Sequence, residues 1–451
     1  MAQDDTFADR LRRRRFLRLG GAVGAAGLAG CLNQGELQGE TDDGDGETDG
    51  GGGGGGDDTD DDDGGGGGGG SSEPIQVGTA IPFSGDLSDF GEPMLNAMQM
   101  AVEDINAAGG PLGREVEILD EDTGTDSTQG VNAANKLVET DGVSGLIGAV
   151  SSGVTISIAQ SVTIPNEVLH ITSASSSPSI STLDDDDYVF RTRTNDRFVA
   201  KVMARIIQNQ GADSAAVIYV NNDFGQALAD TFESSFEGTT TATVGYTSGQ
   251  TSYEQILSEA FSDDPEFIAF AGYPESGTTM LSQWNEGGYG GNWVLHTSML
   301  SEDVISNVGA DVIDGMYGVR TRPPTGDATE SFVSDYESAY PDADVFSPYS
   351  WNSYDALVSY CLAVHAAGTT DSSAVKEEMR TVSNPPGDTY SYTEFGDAVS
   401  ALDDGGQVDY SGPSGNVNYD DNGDVASDMV VVEVVDGSFE DQEVIPADEL
   451  V

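Results

Sequence analysis

Residues 75–107 read IQVGTAIPFSGDLSDFGEPMLNAMQMAVEDINA and contain one complete strand–loop–helix unit. The apolar run Ile75–Ile81 predicts a β-strand, and Pro82–Gly91 predicts the loop that follows it. From Met94 to Ala107 apolar residues recur at helical spacing, which predicts an α-helix with one apolar face. Gly109–Pro111 ends this helix, because neither glycine nor proline continues it well.

The same alternation of strands and helices continues to about residue 295 and predicts an α/β fold with parallel sheets covered by helices. It falls into two blocks, before and after about Arg193, which indicates two lobes. Further strands are predicted at Val116–Leu119, Val143–Ile147, Val168–Ile171, Ala215–Val220, Thr243–Tyr246, Phe267–Ala271 and Trp293–Leu295. Further helices are predicted at Ser127–Glu139, Val154–Thr163, Phe198–Gln208, Gly225–Phe236, Glu254–Phe261 and Gly277–Glu286.

Ligands of such folds bind at the carboxyl ends of the strands. This rule directs attention to six loops, those that follow Ile81, Ile147, Ile171, Val220, Ala271 and Leu295.

The chain is strongly acidic. Its 451 residues include 79 acidic and 17 basic ones, for a net charge of −62. Such a surface repels phosphate backbones, so we expect no binding to nucleic acid. Acidic residues spread along a foldable sequence fit life in concentrated salt, because about 1 M salt shortens the screening length to roughly 3 Å. We therefore interpret the charge as an adaptation to high salt.

The N-terminal residues predict an export signal and a tether. Arg13–Arg18 resembles the twin-arginine export motif, and Leu28–Cys31 resembles a lipobox, with Cys31 as the lipidated residue. The apolar stretch between them is too short to anchor the chain as a membrane span. We therefore assign residues 1–31 to a twin-arginine signal and residues 32–73 to a disordered Gly- and Asp-rich tether. The alternative is a cytoplasmic protein with a basic N-terminus.

Cysteine and histidine usage predicts neither a disulfide nor a metal site. Cys361 lies in an apolar run and is predicted to be a core thiol. His170, His296 and His365 are scattered along the chain, so a zinc site is not expected. No cofactor is predicted.

The body of the chain resembles the branched-chain amino-acid (Leu/Ile/Val-type) periplasmic binding proteins, the type I bilobed family. The resemblance spans nearly all of residues 75–435 in order. It is carried by IPFSG (81–85), FG (90–91), AVEDINAAGG (101–110), ANKLV (134–138), LIGAVSS (146–152), ITSASS (171–176), YVFRT (188–192), NDFG (222–225), GY (272–273), YSWNSYDA (349–356) and NYDDNGD (418–424).

The resemblance implies two Rossmann-like lobes joined by three crossings that close on a ligand like a Venus flytrap. It implies an N-terminal lobe of residues 74–193 plus about 318–405, and a C-terminal lobe of 194–317 plus about 406–451. With the lipobox at Cys31, we expect a lipid-anchored, monomeric solute-binding component on the extracellular face of the membrane. Its partners would be the permease and ATPase subunits of an ABC importer, and its ligand a branched-chain amino acid or a similar small solute.

Candidate ligand-binding residues lie in the loops that follow predicted strands. Hydroxyl and free N–H groups of Ser151 and Ser152, at the start of a helix, suit a carboxylate. By the resemblance, Ala174 and Ser176 contact the ligand's amino and carboxylate groups, and Phe224 and Tyr273 form its aromatic walls. Tyr349 and Trp351 are assigned to the core rather than to the cleft.

One position departs from the family pattern. The family places an acid after the last of these strands to pair with the ligand's ammonium, and Ser298 stands there. A buried ammonium without an anionic partner is costly. Either Glu275, Asp223 or Glu302 replaces that acid, or the ligand lacks an ammonium, as amides and urea-like solutes do.

Two other functions are less consistent with the sequence. An enzyme is not expected, because the sequence contains no nucleophile elbow, phosphate loop or motif-spaced catalytic carboxylate pair. The second alternative is a ligand-presenting sensor module with the same fold.

Overall fold

A computed structural model describes residues 73–322, 325–341 and 349–450. The first part of the chain forms a parallel sheet of order β2-β1-β3-β4-β5 with helices between its strands. Its strands are β1 (Ile75–Ile81), β2 (Val116–Asp122), β3 (Leu146–Gly148), β4 (His170–Thr172) and β5 (Val189–Arg191). Its helices are α1 (Gly91–Ala107), α2 (Ser127–Asn135) and α3 (Ser152–Ile158).

The chain then enters a second sheet. The elements up to residue 321 are α4 (Asp196–Asn209), β6 (Ser214–Val220), α5 (Asp223–Ser235), β7 (Thr239–Tyr246), α6 (Glu254–Ala260), β8 (Phe267–Ala271), α7 (Pro274–Gly287), β9 (Asn292–Leu295), α8 (Glu302–Val308), α9 (Ala310–Ile313) and β10 (Tyr317–Thr321). These five strands are parallel, in the order β10-β9-β8-β6-β7. Strand β8 is buried at every residue, as expected for the centre of a sheet covered on both faces.

The chain returns to the first lobe and then leaves it again. The returning elements are α10 (Asp327–Ala339), α11 (Ser350–Ala367), α12 (Ser372–Ser383), β11 (Asp388–Tyr390), α13 (Phe395–Asp403), β12 (Val408–Gly412) and β13 (Gly415–Asn416). Strands β14 (Met429–Val435) and β15 (Ser438–Ile445) then extend the second sheet as antiparallel strands beside β10. The described chain thus passes between the lobes three times, which confirms the predicted bilobed α/β fold.

Helix α11 is the core of the first lobe. It is apolar on nearly all sides and is buried from Asn352 to Val364, packing against α1 and α12. A helix with this composition belongs inside a protein rather than on its surface. Cys361 is fully buried and free, which confirms its prediction as a core thiol.

The three crossings are hydrogen-bonded to one another. In the first crossing, the guanidinium of Arg191 is fully buried and its Nε lies 2.5 Å from Oδ1 of Asp424 in the third. Its Nη1 also donates to the carbonyl of Ser177 at 2.9 Å. The guanidinium of Arg193 donates to the hydroxyl of Thr321 at the start of the second crossing. These contacts place a polar, buried hinge directly behind the cleft.

Several predicted element boundaries were wrong by a few residues. The predicted strands at Val143 and Val168 begin three and two residues later, at Leu146 and His170. The predicted helix Ser127–Glu139 is α-helical only to Asn135 and continues as a π-helical turn, Lys136–Asp141. The three-stranded sheet β11-β12-β13 was not predicted. Strand β10 begins at Tyr317 and belongs to the second sheet, so the predicted lobe boundary near 318 falls inside it.

Candidate functional site

The predicted binding residues meet at one cavity between the lobes, at the carboxyl ends of both parallel sheets. Ser151, Ser152, Ala174, Ser176, Phe224, Tyr273 and Ser298 all line this cavity. Leu87, Val150, His296 and Tyr349 complete the lining. Apart from Tyr349, which directly precedes α11, the side chains from the first lobe follow β1, β3 and β4, and those from the second lobe follow β6, β8 and β9. The strand-end rule therefore located this cavity correctly.

Two serines mark one end of the cavity. Ser151 is the N-cap of α3, with an extended backbone, and its side chain makes no capping hydrogen bond. The Ser152 hydroxyl accepts a hydrogen bond from the backbone N–H of Ser177 at 3.2 Å. Both serines are buried, at 6% and 3% exposure. The first N–H groups of a helix lack intrahelical acceptors, so this end of the cavity favours a ligand acceptor such as a carboxylate.

Tyr273 connects this end to the second lobe. Its hydroxyl lies 3.4 Å from the Ser151 hydroxyl across the cleft and accepts a hydrogen bond from Nδ2 of Asn222 at 2.8 Å. Burial raises the pKa of the tyrosine, although the hydrogen bonds to Ser151 and Asn222 oppose this, so the group stays a neutral hydroxyl. The ring of Phe224 stacks on Tyr273 with centroids 5.8 Å apart.

The turn before α5 fixes the position of Phe224. Gly225 follows it, and a Cβ at this glycine would lie 2.1 Å from the Val220 carbonyl oxygen. Only glycine allows this close approach, so the turn presents the preceding aromatic ring to the cavity.

The loop after β4 is held by an inward-facing serine. The hydroxyl of Ser175 lies 2.7 Å from that of Thr155 and 3.1 Å from the carbonyl oxygens of Ala149 and Val150. Ser175 is 1% exposed, and its neighbours Ala174 and Ser176 line the cavity instead. Successive residues of this short segment therefore alternate between the core, where Ser175 lies, and the cavity wall, which Ala174 and Ser176 line.

Sequence reasoning missed or misassigned three side chains that lie at or directly behind the cavity. Tyr349 lines the cavity, whereas the sequence assigned it to the core; burial raises its pKa to about 12. His296 also lines the cavity, and its position directly after β9 was a signal that could have found it. The third is Asp196, a fully buried acid at the start of α4. No strand-end pattern points to it, because it opens a helix.

Asp196 lies between two cavity residues. Its Oδ2 accepts a hydrogen bond from the Ser176 hydroxyl at 2.6 Å, and its Oδ1 lies 3.2 Å from Nε2 of His296. Burial raises the pKa of this carboxyl, but His296, Arg193 and the Ser176 hydroxyl outweigh that effect and hold the pKa below its usual range. Asp196 is therefore an ionised carboxylate one side chain behind the cavity wall.

The acids suggested by the sequence as partners for a ligand ammonium do not line the cavity. Glu275, Asp223 and Glu302 are exposed. The hydroxyl of Ser298 donates to the carbonyl of Gly272 at 2.6 Å. This bond uses the only proton that Ser298 can donate from its side chain.

Comparison with known proteins places the chain in a family. A family profile described as periplasmic binding protein matches residues 74–438. The chain belongs to the periplasmic binding protein family. This match and the relatives described next confirm the predicted resemblance to Leu/Ile/Val-type binding proteins.

Named relatives cover most of this periplasmic binding protein. The chemotactic signal transduction system substrate-binding protein BasB of Halobacterium salinarum is 27% identical over 381 residues, covering 83% of this chain and 90% of BasB. The Leu/Ile/Val-binding protein homolog 3 of Brucella melitensis is 27% identical over 340 residues, covering 72% of this chain and 89% of that protein.

A solved structure supports the same placement. The leucine-binding protein LivK of Thermotoga maritima superposes with a TM-score of 0.71 at 25% identity. The match covers 83% of this periplasmic binding protein and 100% of LivK. Within the residues that the structure describes, no helix has both the length and the apolar character needed to cross a bilayer. The same residues contain no group of histidine, cysteine and acidic side chains placed to hold a metal ion.

Proposed function

We propose that this protein captures a branched-chain amino acid, or a related small amino-acid-like solute, as the extracellular binding component of an ABC importer. The observation that carries the proposal is the cavity between the lobes that both sets of strand-end loops line. One end offers the hydroxyls of Ser151 and Ser152 at a helix start. A carboxylate bound there would be close to residues of both lobes, which couples ligand binding to closure.

The walls of the cavity suit an aliphatic side chain. Leu87, Val150 and Phe224 are buried apolar residues, and Tyr273 and Tyr349 add aromatic surface. No lysine, arginine, aspartate or glutamate belongs to the described lining. An apolar wall with a few placed polar groups is the usual form of a small-molecule site. The names of the Brucella and Thermotoga relatives also support a branched-chain amino acid as the solute.

Thermal shift in concentrated KCl tests this proposal. We expect leucine, isoleucine or valine at about 100 times its Kd to add about 2.7 kcal/mol to the free energy of unfolding and to raise Tm by a few degrees. Ser152→Ala should weaken binding about tenfold, since it removes a hydroxyl beside the ligand carboxylate. Ser157→Ala, on the same helix but bonded to the Gly153 carbonyl, is the matched control and should leave affinity unchanged. If only urea or amides stabilised the protein, the proposed solute class would be wrong, and the ligand would be an amide or a urea-like solute.

A sensory role is the second candidate. It is favoured by the similarity to BasB, whose name assigns it to chemotactic signal transduction. Deletion of the gene separates the two roles: loss of amino-acid uptake supports the importer, and loss of attraction to the same amino acid with uptake intact supports the sensor.

The export signal, the tether and Cys31 lie outside the described residues. We propose that Cys31 anchors the mature protein to the outer face of the cell membrane through a lipid. Replacing Cys31 by serine should release processed protein into the medium or leave it unprocessed, and unchanged retention of mature protein would argue against the anchor.

A further inference from the structure

The loop between β1 and α1, residues 82–90, forms one part of the cavity wall and supports another. Leu87, in this β1 loop, lines the cavity and is 4% exposed. Phe90, three residues later, packs edge-on against the ring of Tyr349, with centroids 5.1 Å apart. Tyr349 is itself a cavity residue. The position of the β1 loop therefore decides where two walls of the cavity lie.

A carboxylate from the neighbouring strand holds the first half of the β1 loop. Asp122, the last residue of β2, accepts hydrogen bonds through Oδ1 from the backbone N–H groups of Phe83 at 2.8 Å and Ser84 at 3.2 Å. Its Oδ2 accepts a hydrogen bond from the Ser84 hydroxyl at 2.6 Å. Burial raises the pKa of Asp122, but these bonds and one from the Gly124 N–H outweigh that effect and hold the pKa below its usual range. At neutral pH, Asp122 therefore holds the loop as an ionised carboxylate.

The turn that follows β2 holds the second half of the β1 loop. The Thr125 hydroxyl accepts a hydrogen bond from the backbone N–H of Leu87 at 3.1 Å. Thr125 has a φ of 58°, a left-handed conformation that β-branched residues rarely adopt. Gly85 lies directly against this turn, since a Cβ there would be 2.2 Å from the Gly124 carbonyl oxygen. Strained backbone persists only where its surroundings hold it, and here the held turn places a hydroxyl against the backbone of a cavity residue.

Asp122 and Thr125, here called the β2 clamp, set the distance between the β1 loop and β2. Hydrogen bonds inside the loop, such as that from the Phe90 N–H to the Leu87 carbonyl at 3.1 Å, fix its local turn but not that distance. Neither residue of the clamp belongs to the described lining of the cavity. The clamp therefore acts on the cavity only through the loop that it holds.

We propose that Asp122 and Thr125 position Leu87 and so determine how closely the cavity fits the side chain of its ligand. Both are positioning residues, because the wall itself belongs to the β1 loop. An aliphatic ligand side chain long enough to reach the wall gains from the clamp, and a methyl group does not. This inference rests on the proposed function, the binding of a small amino acid.

Calorimetric titration of the whole chain with L-leucine and L-alanine in concentrated KCl tests the inference. Leucine buries three more carbon atoms than alanine, so the wild-type protein should prefer leucine roughly 50-fold. Asp122→Ala releases the β1 loop from β2 and should weaken leucine binding about tenfold, because the wall no longer packs against the side chain. Alanine binding should change by no more than about twofold, so the preference should fall to about fivefold. A loss of general stability would not separate the two ligands in this way.

Two further variants at β2 are the controls. Asp122→Asn keeps an oxygen for the N–H groups of Phe83 and Gly124, and its amide NH₂ can donate to the Ser84 hydroxyl, so it should restore the wild-type preference. Asp120→Ala removes an exposed acid from the same strand and should also keep that preference.

Thr125→Val tests the clamp independently of Asp122. It keeps the shape of the side chain but removes the hydroxyl that holds Leu87, and it should lower the preference for leucine even if Asp122→Ala fails to fold. An unchanged preference in Thr125→Val or in folded Asp122→Ala, even with both affinities reduced, would overturn this inference alone, as would a wild type with no preference for leucine. Failure of the wild type to bind either amino acid would overturn the proposed function, and this inference with it.

Discussion

Asp355 is a carboxyl group buried in the first lobe, away from the ligand cavity. It lies on α11 and accepts hydrogen bonds from the Tyr410 hydroxyl at 2.7 Å and from the backbone N–H of Ser414 at 2.8 Å. The Ser414 hydroxyl is a third partner. Burial raises the pKa of Asp355 to about 7, and the three hydrogen bonds only partly oppose it. The folded protein therefore holds this proton far more tightly than the unfolded chain does.

This difference predicts a loss of stability as pH rises. An ordinary aspartate, as in the unfolded chain, has a pKa of 3.8, so the stabilisation from protonated Asp355 is complete below about pH 4 and is lost as pH rises to about 7. The loss could reach about 4 kcal/mol. Asp355→Asn cannot titrate and should flatten the dependence of Tm on pH between 4 and 7. Asp397→Asn, at an exposed acid of α13, should keep the wild-type slope. An unchanged slope in Asp355→Asn would contradict this assignment.

Individual site residues could be predicted where they follow strands. Ser151, Ser176 and Tyr273 were predicted because each follows a parallel strand in the sequence, and the carboxyl ends of parallel strands lie together at one edge of the sheet. Asp196 was missed for the opposite reason: its place behind the cavity wall depends on a contact with His296, 100 positions away. Single-sequence patterns do not report such pairings.

The hinge is the element that joins the lobes, and its buried ion pair is open to a direct test. Arg191→Met leaves the Asp424 carboxylate buried without its cation and should cost about 3–5 kcal/mol of unfolding free energy. Urea unfolding in concentrated KCl measures this loss. Arg191→Met combined with Asp424→Leu should cost less than the sum of the two single changes, because neither charge is then stranded.

A second ion pair in the hinge, which is more exposed, is the control for this test. Arg322 and Asp428 connect the second and third crossings at 3.3 Å, but their side chains are 47% and 35% exposed. Arg322→Met should therefore cost less than about 1 kcal/mol. Equal losses at the buried and the exposed pair would show that burial does not set the strength of these contacts.

Whole elements were predicted better than their ends. The strand–helix alternation from Ile75 to Leu295 was correct largely because the central strands of both sheets are buried on both faces and therefore apolar. Helix α2 was misjudged because its apolar spacing continues into the π-helical turn Lys136–Asp141, and side-chain periodicity hardly separates the two. Strands β11 and β13 are only three and two residues long, too short for any period to appear.

At the scale of the whole molecule, the net charge of −62 should make stability depend on salt. Repulsion among the acids falls as the screening length shrinks, to roughly 3 Å at 1 M salt. Tm should therefore rise steeply with KCl and level off once about 1 M is passed. A parallel series in sucrose, which carries no charge, measures how much Tm rises because a solute is excluded from the protein surface rather than because charges are screened. A flat KCl curve would contradict the interpretation of the charge as an adaptation to salt.

The composition of the cavity wall has a consequence for how such proteins diverge. The described lining contains no lysine, arginine, aspartate or glutamate. A duplicated gene could therefore exchange wall residues for those suited to another solute without having to bury a new charge. Paralogues should accordingly differ first at positions such as Leu87 and Val150.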